Sequence, residues 1–267
     1  MTKKEFMYMK KLLFVALAAV LALSGCKKNA SGDLLSRIKE KGEIVVATEG
    51  TWAPWTFHDE SNKLVGFDVE VAQAIAEKLG VKAVFAETEW DGIFAGIDSR
   101  RYDITCNGVE ITDERTQKYD FSAPYGYIHT ALIVRNDTTD INDFADLKGK
   151  NTANSLGSTY AMQAESYGAK VQTIDTLEET LQLVEHRRVD ATLNADVSFY
   201  DYMKVHPEKP FKIIALTKDA SQVAIPLRKG EETASLRKAI DKAIADLSAD
   251  GTLSAISVKY FGSDITR

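Results

Sequence analysis

The chain has 267 residues, 45% of them hydrophobic and 27% charged, with a formal charge of −6. That balance excludes a disordered chain, and an acidic protein without a basic stripe is poorly suited to binding nucleic acid. With only two cysteines, Cys26 and Cys106, it is not a disulfide scaffold either.

Two starts are visible, Met1 and Met9, and the second gives the tidier leader, MKKLLFVALAAVLALSGC. Lys10 and Lys11 form a basic n-region and Leu12 to Leu23 an apolar core too short for a comfortable membrane span, so residues 1–25 read as a signal peptide. The LSGC ending resembles the bacterial lipobox, which implies cleavage before Cys26 and lipidation of that cysteine. The mature chain is then expected outside the cytoplasm, anchored to a membrane through its N-terminus. Loss of residues 1–25, which hold four lysines and one glutamate, takes the formal charge from −6 to −9. Residues 27–33, KKNASGD, read as a short flexible tether. Cys106 is then the sole free thiol, no intrachain disulfide can form, and stability has to come from packing.

In chain order, Leu34 to Lys41 reads as a short helix stopped by Gly42. EIVVATEG is a continuously apolar strand, as in a sheet covered on both faces. In GTWAPWTF, Pro54 breaks the pattern and aromatic residues cluster. GFDVEVAQAIAEKLG places Val69, Ala72, Ile75, Ala76 and Leu79 on one helix face. KAVFAETEW is a strand, DGIFAGIDSRR a helix and ITCNG a strand. HTALIVRND leaves this unit as a strand, and a second α/β series follows: STYAMQAESYG (helix, with Ser158 as N-cap), KVQTID (strand), TLEETLQLVEHRR (helix), VDATLN (strand), DVSFYDYMKV (helix) and KPFKIIAL (strand). SQVAIPLRKG returns the chain, and two helices close it. Strands alternating with helices predict βαβ units, giving an α/β fold with two lobes. The expected division is a tether and short helix over 26–41, a discontinuous first domain over 42–133 and 222–267, and an inserted second domain over 134–221. Ligands of such folds bind in the cleft.

The segment NGVEITDERTQKYDFSAPY carries the clearest chemistry. Thr112 is placed to cap a helix, and Arg115 falls in its first turn at a strand's carboxyl end, where open α/β sheets bind ligands. A guanidinium fork there is suited to a carboxylate. A capped surface helix with solvated charges is the competing reading.

The stretches EGTWAPW, LVGFDVEVAQAIAEKLG, WDGIFAGIDSRRYD, ITDERTQKYDFSAPY, LKGK, LGSTY, RRVDA and DGTLSAISVKYFG together resemble the polar amino-acid-binding proteins of ABC importers, extracellular solute-binding protein family 3, over about Gly42 to Thr266. The resemblance implies the type II periplasmic-binding-protein fold: two domains, each a mainly parallel sheet flanked by helices, joined by two crossover strands. It implies a monomeric receptor, without cofactor or catalysis, that hands an amino acid to a membrane permease. It also assigns contacts. Trp52 and Trp90 become the aromatic walls, and Glu49 stands where some members hold a distal cationic group, although a solvated loop glutamate reads equally well. Asn107, Gly108 and Glu110 lie in the segment that meets the α-amino and α-carboxylate groups. Arg115 matches the carboxylate-binding arginine, and Ser158 and Thr159 match a helix start that receives the same carboxylate.

One position departs from that pattern. Ala195 falls where the family usually has an ammonium-binding aspartate, and Glu110 replaces what is often serine or threonine. The ammonium partner is therefore expected to be Glu110, assisted by Asn194 or Asp196. The four histidines show no metal-ligand spacing. Within the family the sequence most resembles cystine or cysteine receptors, with a cationic amino acid such as arginine or lysine as the alternative. An enzyme resembling cyclohexadienyl dehydratase is the rival from another class, and a receptor that also docks onto a sensory protein is a third.

Overall fold

The computed structural model describes residues 33–267; the expected signal peptide, Cys26 and the tether before Asp33 lie outside them. Helix α1 (Leu34–Lys41) starts where the Asp33 carboxylate accepts the Ser36 N–H and ends at Gly42 in the left-handed conformation. Strand β1 (Glu43–Thr48) follows, then a small antiparallel sheet of β2 (Thr51–Trp52), β3 (Thr56–His58) and β4 (Leu64–Val65). This small sheet was not expected, because its strands are too short to show a periodicity of two. Helix α2 (Phe67–Leu79), β5 (Lys82–Glu87), α3 (Trp90–Asp98) and β6 (Ile104–Thr105) complete the first series, with β1 central and parallel to both β5 and β6. All five apolar positions expected on one face of α2 are buried.

Helix α4 (Asp113–Lys118) leads to β7 (Tyr119–Phe121) and β8 (Gly126–Ile128). Strand β9 (Thr130–Arg135) then enters the second lobe. There follow a 3-10 turn (Phe144–Leu147), β10 (Asn151–Asn154), α5 (Thr159–Ser166), β11 (Lys170–Thr173), α6 (Leu177–Glu185), β12 (Thr192–Ala195), α7 (Asp196–Val205) and β13 (Phe211–Leu216). Strand β14 (Ser221–Val223) pairs antiparallel with β8, and β15 (Pro226–Arg228) with β7, which brings the chain back to the first lobe. Helices α8 (Glu231–Ala249) and α9 (Thr252–Phe261) pack there.

The second lobe holds two sheets, one of β12, β9 and β13 and one of β10 and β11. β9 runs antiparallel to both β12 and β13, while β10 and β11 are parallel. The reason lies in the connection: β9 enters from the crossover, so its direction is set by the first lobe and not by a βαβ unit. Its pairing places all of Thr130–Arg135 in the second lobe, so a domain boundary at 133/134 would fall inside a strand. The crossing segments are β8 and β14, and Glu110 extends them by a single bridge to Val223.

The first lobe packs Ile44, Val46, Phe67, Val71 and Ile75 against Leu236 and Ile240 of α8, all within 1% exposure. A second cluster holds Ile133, Leu181, Val184, Phe199 and Phe211 between the second lobe's strands and α6 and α7. Each such side chain contributes about 1.5–3 kcal/mol on burial. No helix among the described residues is long and apolar enough to cross a membrane.

Candidate functional site

The carboxyl ends of β1 and β6 and the N-termini of α4, α5 and α6 converge on a cavity between the lobes. Of the expected residues, Glu49, Trp52, Trp90, Asn107, Gly108, Glu110 and Arg115 line it from the first lobe, and Ser158, Thr159 and Asn194 from the second.

Arg115 sits where the motif puts it. The Thr112 hydroxyl accepts its backbone N–H at 3.1 Å, starting α4. Its guanidinium donates to the Glu110 carbonyl at 2.9 Å and, across the cleft, to the Gly157 carbonyl at 3.2 Å. Its charge also lies over the Trp90 and Phe94 rings, at 5.3 and 5.4 Å. Burial pulls its pKa down, and the Glu110 charge pushes it back up. With 7% exposure and neutral hydrogen-bond partners only, this is a buried cation with unused capacity for an anion.

Glu110 is 4% exposed, and one of its carboxylate oxygens accepts the Thr159 hydroxyl from the opposite lobe. Ser158 caps α5 by accepting the Ala161 N–H at 3.1 Å. The helix start beside it leaves backbone N–H groups that attract anions.

Asn107 lines the cavity and also holds Glu49. Its side-chain oxygen accepts the Glu49 N–H at 2.9 Å and the Thr48 hydroxyl at 3.1 Å, and its amide donates to the Glu49 carboxylate at 2.5 Å. It is a clamp on Glu49. Burial first, and the charge of Asp175 as well, raise the Glu49 pKa to about 7 against that hydrogen bond. Gly108 has φ +57°, and a Cβ there would lie 2.5 Å from the Trp52 ring, so glycine is needed for Trp52 to form the wall. The Gly108 N–H is held at 2.5 Å by Asp68, a fully buried carboxylate that also accepts the Tyr125 hydroxyl at 2.7 Å. Cys106, 1% exposed, is inert packing, because burial and the Asp68 charge push its thiol well up.

Asp196 does not reach the cavity. Its carboxylate accepts the Val197 N–H at 2.9 Å and the His129 N–H at 3.3 Å, tying α7 to the crossover. Strand alternation would place it beside Asn194, but the helix begins at Asp196 and ends the alternation.

Sequence reasoning missed Thr51, Ser155, Tyr160, Asp175, Thr176 and Leu177, which also line the cavity. Thr176 caps a helix, the same signal that picked out Ser158, and Asp175 precedes it in the loop after β11. The Trp52 indole N–H is buried without a hydrogen-bond partner among the described residues. Trp52 stacks on Trp55 at 5.3 Å, and the Trp55 indole N–H donates to Ser198 of the second lobe at 2.9 Å, so the aromatic wall is tied to an interlobe contact.

A model of the bacterial extracellular solute-binding proteins, family 3, matches residues 44–263. The L-cystine-binding protein TcyA of Bacillus subtilis is 39% identical over 271 residues, covering 97% of this chain and 100% of its own. The L-cystine solute receptor of Neisseria gonorrhoeae, in its unliganded open conformation, is 40% identical, with 88% of this chain and 99% of that one covered and a TM-score of 0.60. An ancestral arginine-binding protein bound to arginine is 37% identical, covers 83% of this chain and 99% of its own, and has a TM-score of 0.77. The higher likeness to the ligand-bound shape, despite the lower identity, is what the interlobe contacts of Arg115, Glu110 and Trp55 would produce in a closed cleft.

Proposed function

The chain belongs to the bacterial extracellular solute-binding proteins, family 3, and from that premise we propose that it is the extracytoplasmic receptor of an amino-acid ABC transporter, with L-cystine as its ligand. The observation that carries the amino-acid reading is Arg115, a buried guanidinium with neutral partners, beside the N-terminus of α5. An α-carboxylate satisfies both at once. Glu110 then takes the α-ammonium, with Asn194 close by, and Trp52 and Trp90 form apolar walls that exclude water and strengthen those contacts. Beyond them Glu49 faces the far end of the ligand. Cystine, which the named relatives from Bacillus subtilis and Neisseria gonorrhoeae bind, carries a second ammonium to meet it; arginine offers its guanidinium. The two lobes close about β8 and β14 because the ligand binds the closed state better than the open one.

A thermal-shift screen of the twenty amino acids plus cystine tests this, since a ligand that binds only the folded state raises the melting temperature by mass action. Cystine should give the largest shift. No shift with any of them would sink the reading.

Binding of a ligand with a distal cation should depend on pH through Glu49. Its carboxyl, raised to about 7, is largely neutral at pH 6 and largely charged at pH 8. Only the charged form pairs with a cation, so a proton competes with the ligand. Affinity for arginine, whose guanidinium keeps its charge throughout, should rise about tenfold from pH 6 to 8. Glu49→Gln should flatten that rise in calorimetric titrations. We also assign Cys26 as the lipid anchor, from the lipobox-like LSGC. Cys26→Ala should move the protein from the membrane fraction to the soluble one.

A further inference from the structure

We propose that Asp68, which lies behind the cavity, is a positioning residue for the ligand's α-ammonium. It fixes the backbone at Gly108 so that the carbonyls beside it accept that group, and its charge is a counter-charge acting through the peptide. This rests on the amino-acid receptor reading and extends it to a residue that does not touch the ligand.

Asp68 stands in the first turn of α2 and is completely buried. Its carboxylate oxygens have one partner each: one accepts the Gly108 N–H at 2.5 Å and the other the Tyr125 hydroxyl at 2.7 Å. Cys106 is the other titratable group beside it. Burial and the Asp68 charge push both Cys106 and Tyr125 well up, so each stays neutral. No lysine or arginine pairs with Asp68 among the described residues, and the start of α2 supplies only a partial positive charge. A carboxylate buried without a cation is costly, and burial raises the Asp68 pKa to about 7 against its two hydrogen bonds. Buried carboxylates shifted in this way cluster at functional sites. Here the missing cation can arrive with the ligand.

The backbone supplies the path. Asn107 and Gly108 both line the cavity, and neither backbone carbonyl has a donor among the described residues. The peptide between them is trans, so holding its N–H on Asp68 turns the Asn107 carbonyl the opposite way. The peptide dipole then has an anion at its N–H end and an acceptor open at its carbonyl end. A cation at that acceptor and the carboxylate behind it each strengthen the other's hydrogen bond. Glu110 pairs with the ammonium directly and Asp68 acts through the peptide, so the Asp68 effect is the smaller of the two.

The test is calorimetric titration of wild type and Asp68→Asn with L-arginine, its α-hydroxy analogue, which lacks the ammonium, and L-cystine. Asparagine keeps an oxygen for the Gly108 N–H and can donate its amide to Tyr125, so what it removes is the charge. At pH 8 the variant should bind arginine and cystine about tenfold more weakly, and the analogue within about twofold of wild type. The ratio of arginine to analogue affinity should rise several-fold from pH 6 to 8 in wild type, as the proton leaves Asp68, and stay flat in the variant. Glu49 faces the tail that both ligands share, so it cancels from the ratio. Unliganded melting curves should move the other way. With its pKa raised on folding, Asp68 costs stability increasingly as the pH climbs toward 7 and fully above it. Asp68→Asn should therefore melt above wild type at pH 8, with the gap shrinking toward pH 5. Tyr125→Phe takes one hydrogen bond from the carboxylate and leaves its charge, so it serves if Asp68→Asn does not fold. It should shift the rise in the ratio to higher pH. Equal losses for arginine and the analogue, or undiminished binding of arginine and cystine, would mean that Asp68 serves the fold alone, and the proposal falls. A wild type that binds neither arginine nor cystine overturns the receptor reading itself, and this proposal with it.

Discussion

Arg115→Met should weaken binding of L-arginine or L-cystine by about 3–4 kcal/mol, a loss of more than a hundredfold. The guanidinium is the one cationic side chain among the cavity's lining residues, and its two carbonyl partners leave the fork free to take a carboxylate alongside them. Arg115→Lys should recover part of the loss, because it keeps the charge but not the planar fork that can stack on Trp90 and Phe94 while donating twice. Assignment to the α-carboxylate follows from a cycle with agmatine, which is arginine without that group. If Arg115 binds the carboxylate, wild type and Arg115→Met should differ little toward agmatine while differing greatly toward arginine. Equal losses for both ligands would mean that Arg115 acts on the fold or on closure, and the carboxylate assignment would fall. Melting curves of the unliganded variants separate a damaged fold from a missing contact.

Local features of the site were readable from the chain alone, and contacts between the lobes were not. The Thr112 cap, the Arg115 position and the Ser158 cap follow from short-range rules, because a cap and the first turn of its helix lie within four residues. Gly42 and Gly80 as helix stops are of the same kind. The Arg115 to Gly157 hydrogen bond spans 42 residues, and the Trp55 to Ser198 hydrogen bond 143. No periodicity or motif reports which lobe surfaces will meet. Asn107 illustrates the same gap: its place in the motif pointed to the ligand, yet its side chain is used on Glu49, 58 residues away. Asp196 stays outside the cavity lining for a different reason, since the junction of β12 and α7 turns its carboxylate onto the Val197 and His129 N–H groups. Asp175 was overlooked because only its effect on Glu49 across the cleft gives it meaning.

Glu110→Gln should be the second most damaging change, weakening the same ligands by about 2–4 kcal/mol, roughly 30-fold to 1000-fold. Ala195 stands where the resemblance puts an acid of the second lobe, and Asn194 beside it lines the cavity with a neutral amide whose oxygen already accepts the Ala195 N–H at 3.0 Å. Glu110 is then the carboxylate that acts on Arg115 and Tyr160 and that accepts the Thr159 hydroxyl at the α5 start. Glutamine preserves the shape and one acceptor, so the Thr159 hydroxyl keeps its partner across the lobes and closure is not undone. What is lost is the charge opposite a desolvated ammonium, and leaving that ammonium unpaired costs several kcal/mol by order of magnitude. The variant should also melt lower without ligand, because Arg115 loses the charge that offsets its burial. The decisive comparison uses the α-hydroxy analogue of arginine, which lacks the ammonium and keeps the carboxylate. Glu110→Gln should penalise arginine far more than that analogue, the mirror image of the agmatine cycle for Arg115. Near-wild-type affinity for arginine and cystine in the variant would return the ammonium to Asn194 or the backbone of the second lobe. The exchange of acids between lobes has a consequence for closure. With the ammonium held by the first lobe, the second lobe grips the head of the ligand mainly through its carboxylate at the α5 start, which leaves the distal end to decide how firmly the cleft shuts.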